Sequence, residues 1–147
     1  MTETRVVRAT AVVDAPASVV FKQIADPAAQ IAWDGNDNLA AADDGQRVHA
    51  VGDVFVTTLT KDGARRRNLV VDFEEGRRIA WRPAPLDGEE PGHEWRWELR
   101  PLADGRTEVT HTYDWRELTD ERRLARARRT TRDRLEASLE RLADVCR

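Results

Sequence analysis

The spacing of apolar side chains separates a strand-like region before residue 118 from a helix-like region after it. In the first region apolar and polar residues alternate in short runs, a pattern typical of antiparallel strands with one face in water. The runs cover residues 5–13, 54–60, 65–73, 77–82, 93–100 and 107–115, and a weak hairpin turns at Asp44-Gly45. We therefore expect one first strand and, further along, about six more antiparallel strands.

Two short helices are expected between the first strand and the remainder of the sheet. Pro16 follows Asp14 and Ala15, either of which can cap a helix, and Pro27 follows Asp26, which can cap another. Proline is favoured in the first turn of a helix because its missing N–H would have no intrahelical acceptor there. The apolar spacing then predicts one helix to residue 25 and a second from 26 to about residue 32.

The C-terminal region predicts a single long helix over residues 118–146, because it contains neither Gly nor Pro and Thr119 can cap it. On a 3.6-residue repeat, one face carries Leu124, Ala127, Thr131, Leu135, Ser138, Leu139, Leu142 and Cys146. Some members of this face are small for a close-packed interface, so we expect a ligand-sized space beside them. The alternative is that tryptophans of the sheet fill that space.

The predicted strands each have one apolar face that must be covered, and the C-terminal helix is the element left to cover it. The expected fold is therefore α+β, with a curved antiparallel sheet of about seven strands wrapped around a long C-terminal helix. The two short helices follow the first strand. The length favours a single domain over residues 1–147.

Composition then restricts the classes of function. Charged residues make up 35% of the chain and hydrophobic residues 40%, as in globular proteins, and no apolar run approaches the ~20 residues of a membrane helix. The net charge of −3 argues against a nucleic-acid partner. The strand-like run begins too early for a secretory signal, and the single cysteine suits a reducing compartment. We expect a cytoplasmic monomer or weak homodimer.

Arginines are concentrated in the predicted C-terminal helix. Residues 119–135 hold seven arginines against three acidic residues. Arg122, Arg126 and Arg129 lie opposite the apolar face, and we expect them to be exposed and of little energetic weight. A solvated helix face is the first interpretation. The second is a weak positive field that attracts anionic ligands.

The sequence predicts neither a metal site nor a cofactor. The three histidines are scattered, and no phosphate-binding loop or serine nucleophile elbow is present. The segment from Asp34 imitates the start of a calcium-binding loop. However, Leu39 and Gly45 occupy positions that require Gly and Glu, so we read residues 33–38 as a tight turn.

The order of elements and several short motifs resemble the START-like, or SRPBCC, superfamily, and within it the bacterial polyketide cyclase/dehydrase and lipid transport proteins. The motifs are Asp14-Ala15-Pro16 with the helix to Phe21, Ala25-Asp26-Pro27, Trp33, Val51-Gly52-Asp53, and residues 105–110. The resemblance covers nearly the whole chain. It implies a helix-grip fold with a deep cavity between the sheet and the last helix. It implies no catalytic residue, because the superfamily shares none.

Residues on the inner faces of the strands and helix are the candidates for ligand contacts. His111 and Tyr113 share a strand face, Trp97 lies mid-strand, and His93 is expected to be exposed near a strand end. Core packing is the alternative role for the aromatic residues. The complete expected set of ligand contacts is Trp33, Trp81, Trp97, His111, Tyr113, Ala127, Thr131 and Leu135.

The main functional hypothesis is binding of a small hydrophobic or aromatic molecule, such as a lipid or polyketide-like compound, in the implied cavity. The first alternative is a polyketide cyclase or dehydratase that uses His111 and Tyr113 as acid and base. The second is an interaction module of the chaperone-activator kind, which would need a large exposed apolar patch and a filled cavity.

Overall fold

The computed structural model describes residues 4–35, 39–60 and 62–147, and the segment 36–38 of the predicted turn lies outside these ranges. The elements are β1 (Val6–Val13), α1 (Ala17–Ala25), α2 (Pro27–Gln30), β2 (Leu39–Ala41), β3 (Val54–Leu59), β4 (Arg65–Glu74), β5 (Arg78–Pro85), β6 (Glu94–Pro101), β7 (Thr107–Asp114), α3 (Glu121–Arg128) and α4 (Arg132–Val145). The strands form one seven-stranded antiparallel sheet in the order β1-β7-β6-β5-β4-β3-β2. The predicted helix-grip arrangement is confirmed.

Strand β6 shows the predicted alternation of buried and exposed side chains. Trp97 is 0% exposed and Leu99 is buried, whereas Glu98 and Arg100 are exposed. In the pairing with β7, Trp97 lies opposite His111 and Trp95 opposite Tyr113. The register therefore places four aromatic rings of two neighbouring strands on the concave face of the sheet.

Strands β4 and β5 are longer than the apolar pattern predicts. β5 continues to Pro85, beyond the expected end at residue 82, because Pro83 and Ala84 pair with Asn68 and Arg67 of β4. The pairing also shifts between Val70 and Asp72, where β4 contains an extra residue. Such bulges bend and twist a strand. The extended pair carries the sheet past the end of the hydrophobic core.

Both short helices begin at proline-containing starts. The Asp26 carboxylate accepts a hydrogen bond from the Ala28 N–H at 3.2 Å, so Asp26 caps α2 as predicted. α1 differs from the prediction, because Pro16 itself is the capping residue and neither Asp14 nor Ala15 is. Val20, Phe21 and Ile24 of α1 are fully buried.

The prediction of one unbroken C-terminal helix is wrong. α3 ends at Arg128, the Thr130 N–H donates to the Ala127 carbonyl at 3.0 Å in a tighter turn, and Thr131 is extended with φ −93° and ψ 170°. The β-branched pair Thr130 and Thr131 has low helix propensity, which favours a break there. The start also differs, since Asp120 caps α3.

The loop after α2 is held closely against α4. The Gly35 N–H donates to Ser138 Oγ at 2.7 Å, and the Asp34 carbonyl accepts from Arg141 Nη1 at 2.7 Å. A Cβ at position 35 would lie 2.5 Å from the Arg134 carbonyl oxygen, so only glycine allows this approach. Behind the loop, the buried leucines of α4 contact the sheet. These are Leu135, Leu139 and Leu142.

Candidate functional site

A cavity of about 460 Å³ lies between the concave face of the sheet and the segments formed by α2, α3 and the beginning of α4. One side, here called the aromatic wall, consists of Trp33, Trp81, Trp95, Trp97, His111 and Tyr113. The opening carries five arginines, here called the arginine rim, which are Arg66, Arg123, Arg126, Arg129 and Arg134. The cavity therefore combines an apolar interior with a basic entrance.

Five of the six rings of the aromatic wall contact one another in a continuous cluster, whereas Trp81 meets Phe55 edge to face at 5.4 Å. The Trp97 and His111 rings are stacked at 3.6 Å between centroids, and Trp95 lies 4.3 Å from Tyr113. Trp33 meets Trp97 edge to face at 5.1 Å, and its Nε1 donates to the Gln23 carbonyl at 3.1 Å. These mutual contacts fix the ring orientations.

His111 is a neutral, structurally fixed member of the aromatic wall. Its Nδ1 lies 3.2 Å from the Arg96 carbonyl oxygen, which assigns the ring proton to Nδ1. Burial lowers the pKa of His111 to about 3, although the hydrogen bond to Arg96 acts in the opposite direction. Burial likewise raises the pKa of Tyr113 to about 12, although Arg126 opposes the shift. Both side chains are therefore uncharged near neutral pH.

The prediction that His93 is exposed is wrong. His93 lines the cavity, its ring lies edge-on to Tyr113 at 6.1 Å, and its Nδ1 is buried. The cause is Gly92, whose positive φ of 119° brings the chain against the segment around Glu117, where a Cβ would lie 2.6 Å from a carbonyl oxygen. Burial first, and then Arg123, Arg126 and Arg66, lower the pKa of His93 to about 4.

Two buried polar atoms of the cavity lining have no hydrogen-bond partner among the described residues. They are Nδ1 of His93 and Nε1 of Trp97. Buried polar groups in folded proteins are nearly always hydrogen-bonded, because leaving them unpaired costs roughly 1–3 kcal/mol each.

The arginine rim carries positive charge that the protein compensates only in part. In the described ranges, no carboxylate oxygen lies within 4.0 Å of a guanidinium nitrogen of Arg66 or Arg126, while Arg123 lies 3.8 Å from Asp120. Burial and then the charges of Arg123 and Arg126 lower the pKa of Arg66. The rim therefore generates a positive potential at the cavity entrance.

The expected ligand contacts divide into two groups. Trp33, Trp81, Trp97, His111 and Tyr113 line the cavity. Ala127 and Leu135 are buried but are not part of the lining, and Thr131 is exposed at the helix break. The expectation that Thr131 faces the sheet is thus wrong, because it assumed an unbroken helix.

The sequence interpretation included a positive field from the arginines of residues 119–135, but it did not place these arginines or Arg66 at a cavity. Arg122, Arg126 and Arg129 are exposed as expected, but Arg126 and Arg129 also line the cavity entrance. Arg66 was missed because the run of arginines at 65–67 hides the alternation that would assign one of them to the inner face. Residues 66 and 68 share a strand face, but the burial of Asn68 is known only from the structure.

The described residues contain neither a membrane-spanning helix nor a group of potential metal ligands. No helix in ranges 4–35, 39–60 and 62–147 has the length and apolar content needed to span a membrane. Within the same ranges, no three His, Cys, Asp or Glu side chains are grouped so that they could hold a metal ion.

A family model described as polyketide cyclase / dehydrase and lipid transport matches residues 4–147. A protein structure from Nitrosomonas europaea is 14% identical, with a TM-score of 0.70 over 95% of this chain and 92% of that chain. One from Arthrobacter aurescens is 18% identical, with a TM-score of 0.69 over 97% and 86%. The Aha1 dimer from Colwellia psychrerythraea is 15% identical, with a TM-score of 0.63 over 96% and 95%.

At these identities the structural likeness shows the fold alone. Among curated proteins, none matches the chain at a significant level.

Proposed function

Because the chain belongs to the polyketide cyclase / dehydrase and lipid transport family, we propose that it binds one small, largely hydrophobic or aromatic molecule in the cavity. The observation that carries the proposal is the aromatic wall, which borders about 460 Å³ of open space. Ligand pockets typically enclose roughly 300–1,000 Å³ and are lined mainly by apolar side chains with a few polar groups. Side chains that border an open cavity lack van der Waals partners on that side, and a bound ring system would supply them.

Catalysis by His111 and Tyr113 receives less support. A general base is most effective when its pKa lies near the working pH, and burial lowers the pKa of His111 to about 3. Its ring is stacked on Trp97, and its Nδ1 faces a backbone carbonyl. These contacts are those of a fixed wall residue, so binding is the better-supported role for this site.

An interaction module of the chaperone-activator kind also receives less support, although the Aha1 structure has the same fold. Such a module would be expected to display a contiguous apolar surface. The large apolar side chains exposed in the described ranges are instead distributed over several elements. They are Val12, Val19, Ile31, Val51, Val54, Leu86 and Val145.

The proposal can be tested with N-phenyl-1-naphthylamine, an uncharged dye that becomes fluorescent in apolar sites. Ala64 is half-buried and lines the cavity, so Ala64→Trp should fill the entrance and weaken dye binding at least tenfold. The matched control is Ala125→Trp, at an exposed position of α3 outside the lining, which should bind like the parent. Thermal melts would establish that both variants are folded.

Absence of dye binding to the parent protein would contradict the proposal. So would equal loss of binding in the two tryptophan variants, because the site would then lie outside the cavity. Mass spectrometry of the protein under native conditions offers an independent check, since a ligand acquired during expression should appear as a discrete mass increment.

A further inference from the structure

We propose that the molecule bound in this cavity is an organic acid, whose anionic head group is held by Arg66, Arg123 and Arg126 while its apolar part lies against the aromatic wall. This proposal rests on the binding function proposed above and specifies the chemistry of the ligand. Its basis is the charge distribution of the cavity lining.

The three arginines approach the cavity entrance from two sides. Arg66 projects from the inner face of β4, and Arg123 and Arg126 belong to α3. Burial is the largest cause that lowers the pKa of Arg66, and the charges of Arg123 and Arg126 lower it further because like charges repel. A shared anion between them would convert this repulsion into attraction.

Acidic side chains at the entrance are too few to neutralise the rim. Among the described residues, the lining contains five arginines and two aspartates, Asp34 and Asp62. Asp120 lies 3.8 Å from Arg123, at the outer limit of an ion pair. The described part of the chain thus leaves the entrance positively charged even though the whole sequence has a net charge of −3.

The chemistry of arginine favours an oxyanion as the occupant. A guanidinium group presents several N–H donors in a plane and pairs well with both oxygens of a carboxylate or phosphate. Partial burial strengthens such a pair, because water competes less for the charges. The carboxylate and the phosphate have this recognition chemistry in common, so the experiment must compare both.

The test uses three compounds that share one ring system, namely 2-naphthol, 2-naphthoate and 2-naphthyl phosphate. At pH 7 the first is uncharged and the other two are anions. Titration followed by tryptophan fluorescence should show at least one acid binding ten or more times tighter than 2-naphthol. Whichever of the two anions binds more tightly identifies the preferred head group as carboxylate or phosphate. Raising the salt concentration should reduce the preference for the acid.

Substitutions then locate the preference. Arg66→Met combined with Arg126→Gln should bring the affinities for the acids to within about twofold of the affinity for 2-naphthol in the same variant. The matched controls are Arg65→Met and Arg122→Gln, since both residues are exposed on the same elements and lie outside the lining. These controls should keep the preference. Arg126→Gln alone, at an exposed helix position, provides a variant with little risk to folding.

The outcomes separate this proposal from the preceding one. If naphthol and the uncharged dye bind but neither acid binds more tightly, the organic-acid proposal is overturned and the binding function stands. The same conclusion follows if the double variant retains the preference. If none of the compounds binds the parent protein, both proposals are overturned.

Discussion

Arginines occupy two contrasting regions of this protein, the outer face of the sheet and the entrance of the cavity. On the outer face Arg78 lies 3.0 Å from Asp72, Arg96 pairs with the same carboxylate, and Arg82 lies 3.2 Å from Glu94. At the entrance, Arg66 and Arg126 have no carboxylate partner within the described residues. The same residue type is therefore paired with carboxylates in one region and only partly paired in the other.

The paired arginines of the outer face contribute to folding, whereas the rim arginines can interact with a bound partner. On the outer face, cross-strand pairs between opposite charges stabilise the sheet modestly. At the entrance, neighbouring like charges oppose folding slightly, so their presence needs another explanation. A ligand that supplies the missing negative charge provides one, and the contrast yields predictions that can be ranked by size.

The largest expected effect comes from removing the centre of the inner face. Trp97→Ala deletes a fully buried ring that contacts Trp33 and His111, and should cost about 3–5 kcal/mol of the free energy of unfolding. Glu98→Ala, at the exposed neighbouring position, should change it by less than about 0.5 kcal/mol. Urea denaturation measures both. Similar losses in the free energy of unfolding for the two variants would contradict the assignment of Trp97 to the buried face and Glu98 to the exposed face of β6.

The next effect is expected on the outer face. Asp72→Asn leaves Arg78 and Arg96 without their shared carboxylate and should cost about 1–2 kcal/mol at pH 7. Burial tends to raise the pKa of Asp72, but the bonds from Arg96 and Arg78 outweigh it and hold the pKa below its ordinary value of 3.8.

The folded-state pKa of Asp72 is depressed, so its contribution is fully present above the ordinary pKa and is lost as the pH falls through the lowered one. The stability difference between parent and Asp72→Asn should therefore be constant near neutral pH and vanish in acid. Denaturation curves at a series of pH values provide the measurement. A difference that grows on acidification would contradict the pairing.

A smaller effect of opposite sign is expected at the entrance. Arg66→Met removes a half-buried charge that Arg123 and Arg126 repel, so the free energy of unfolding should stay constant or rise by up to about 0.5 kcal/mol. On the outer face, Arg96→Met should instead lower it by about 1 kcal/mol, because Asp72 loses a partner. A melting temperature lowered by Arg66→Met would indicate that groups of the protein itself compensate the charge of Arg66.

The smallest effect is expected for Thr131→Leu. Thr131 is exposed and its side chain makes no capping hydrogen bond, so both stability and dye binding should change little, by less than about 0.5 kcal/mol in stability. Ala127→Leu is the contrasting substitution, because Ala127 is buried and added bulk there should cost roughly 1–3 kcal/mol. Loss of dye binding in Thr131→Leu would show that the helix continues through this residue in solution.

The fold could be predicted from sequence where burial imposes a regular period. The alternation of Trp97, Glu98, Leu99 and Arg100 marks a strand with one covered face, and the structure confirms it. The helix break at Thr131 could not be predicted in the same way. The helical repeat of apolar residues continues across Thr131 and therefore predicts no break. The local backbone is instead determined by the preference of the adjacent β-branched residues for an extended conformation.

The candidate site could be predicted only in its apolar part. Trp33, Trp81 and Tyr113 were identified because large aromatic side chains on inner faces must either fill a core or line a cavity. The role of Arg66 depends on α3 lying across the end of β4. That approach is a tertiary feature with no local sequence signal, so the sequence indicated a positive field from residues 119–135 but not its position at the cavity entrance.

The pairing of β1 with β7 also determines the order in which the protein can be assembled. Thr10 and Thr110 are hydrogen-bonded neighbours although 100 residues separate them in the chain. Closing such a long loop is entropically costly, and folds dominated by distant contacts form slowly. During synthesis the valine-rich β1 cannot form its hydrogen bonds with β7 until β7 has emerged from the ribosome. The local hairpins can form earlier, so β1 is the strand most exposed to aggregation on the way to the native state.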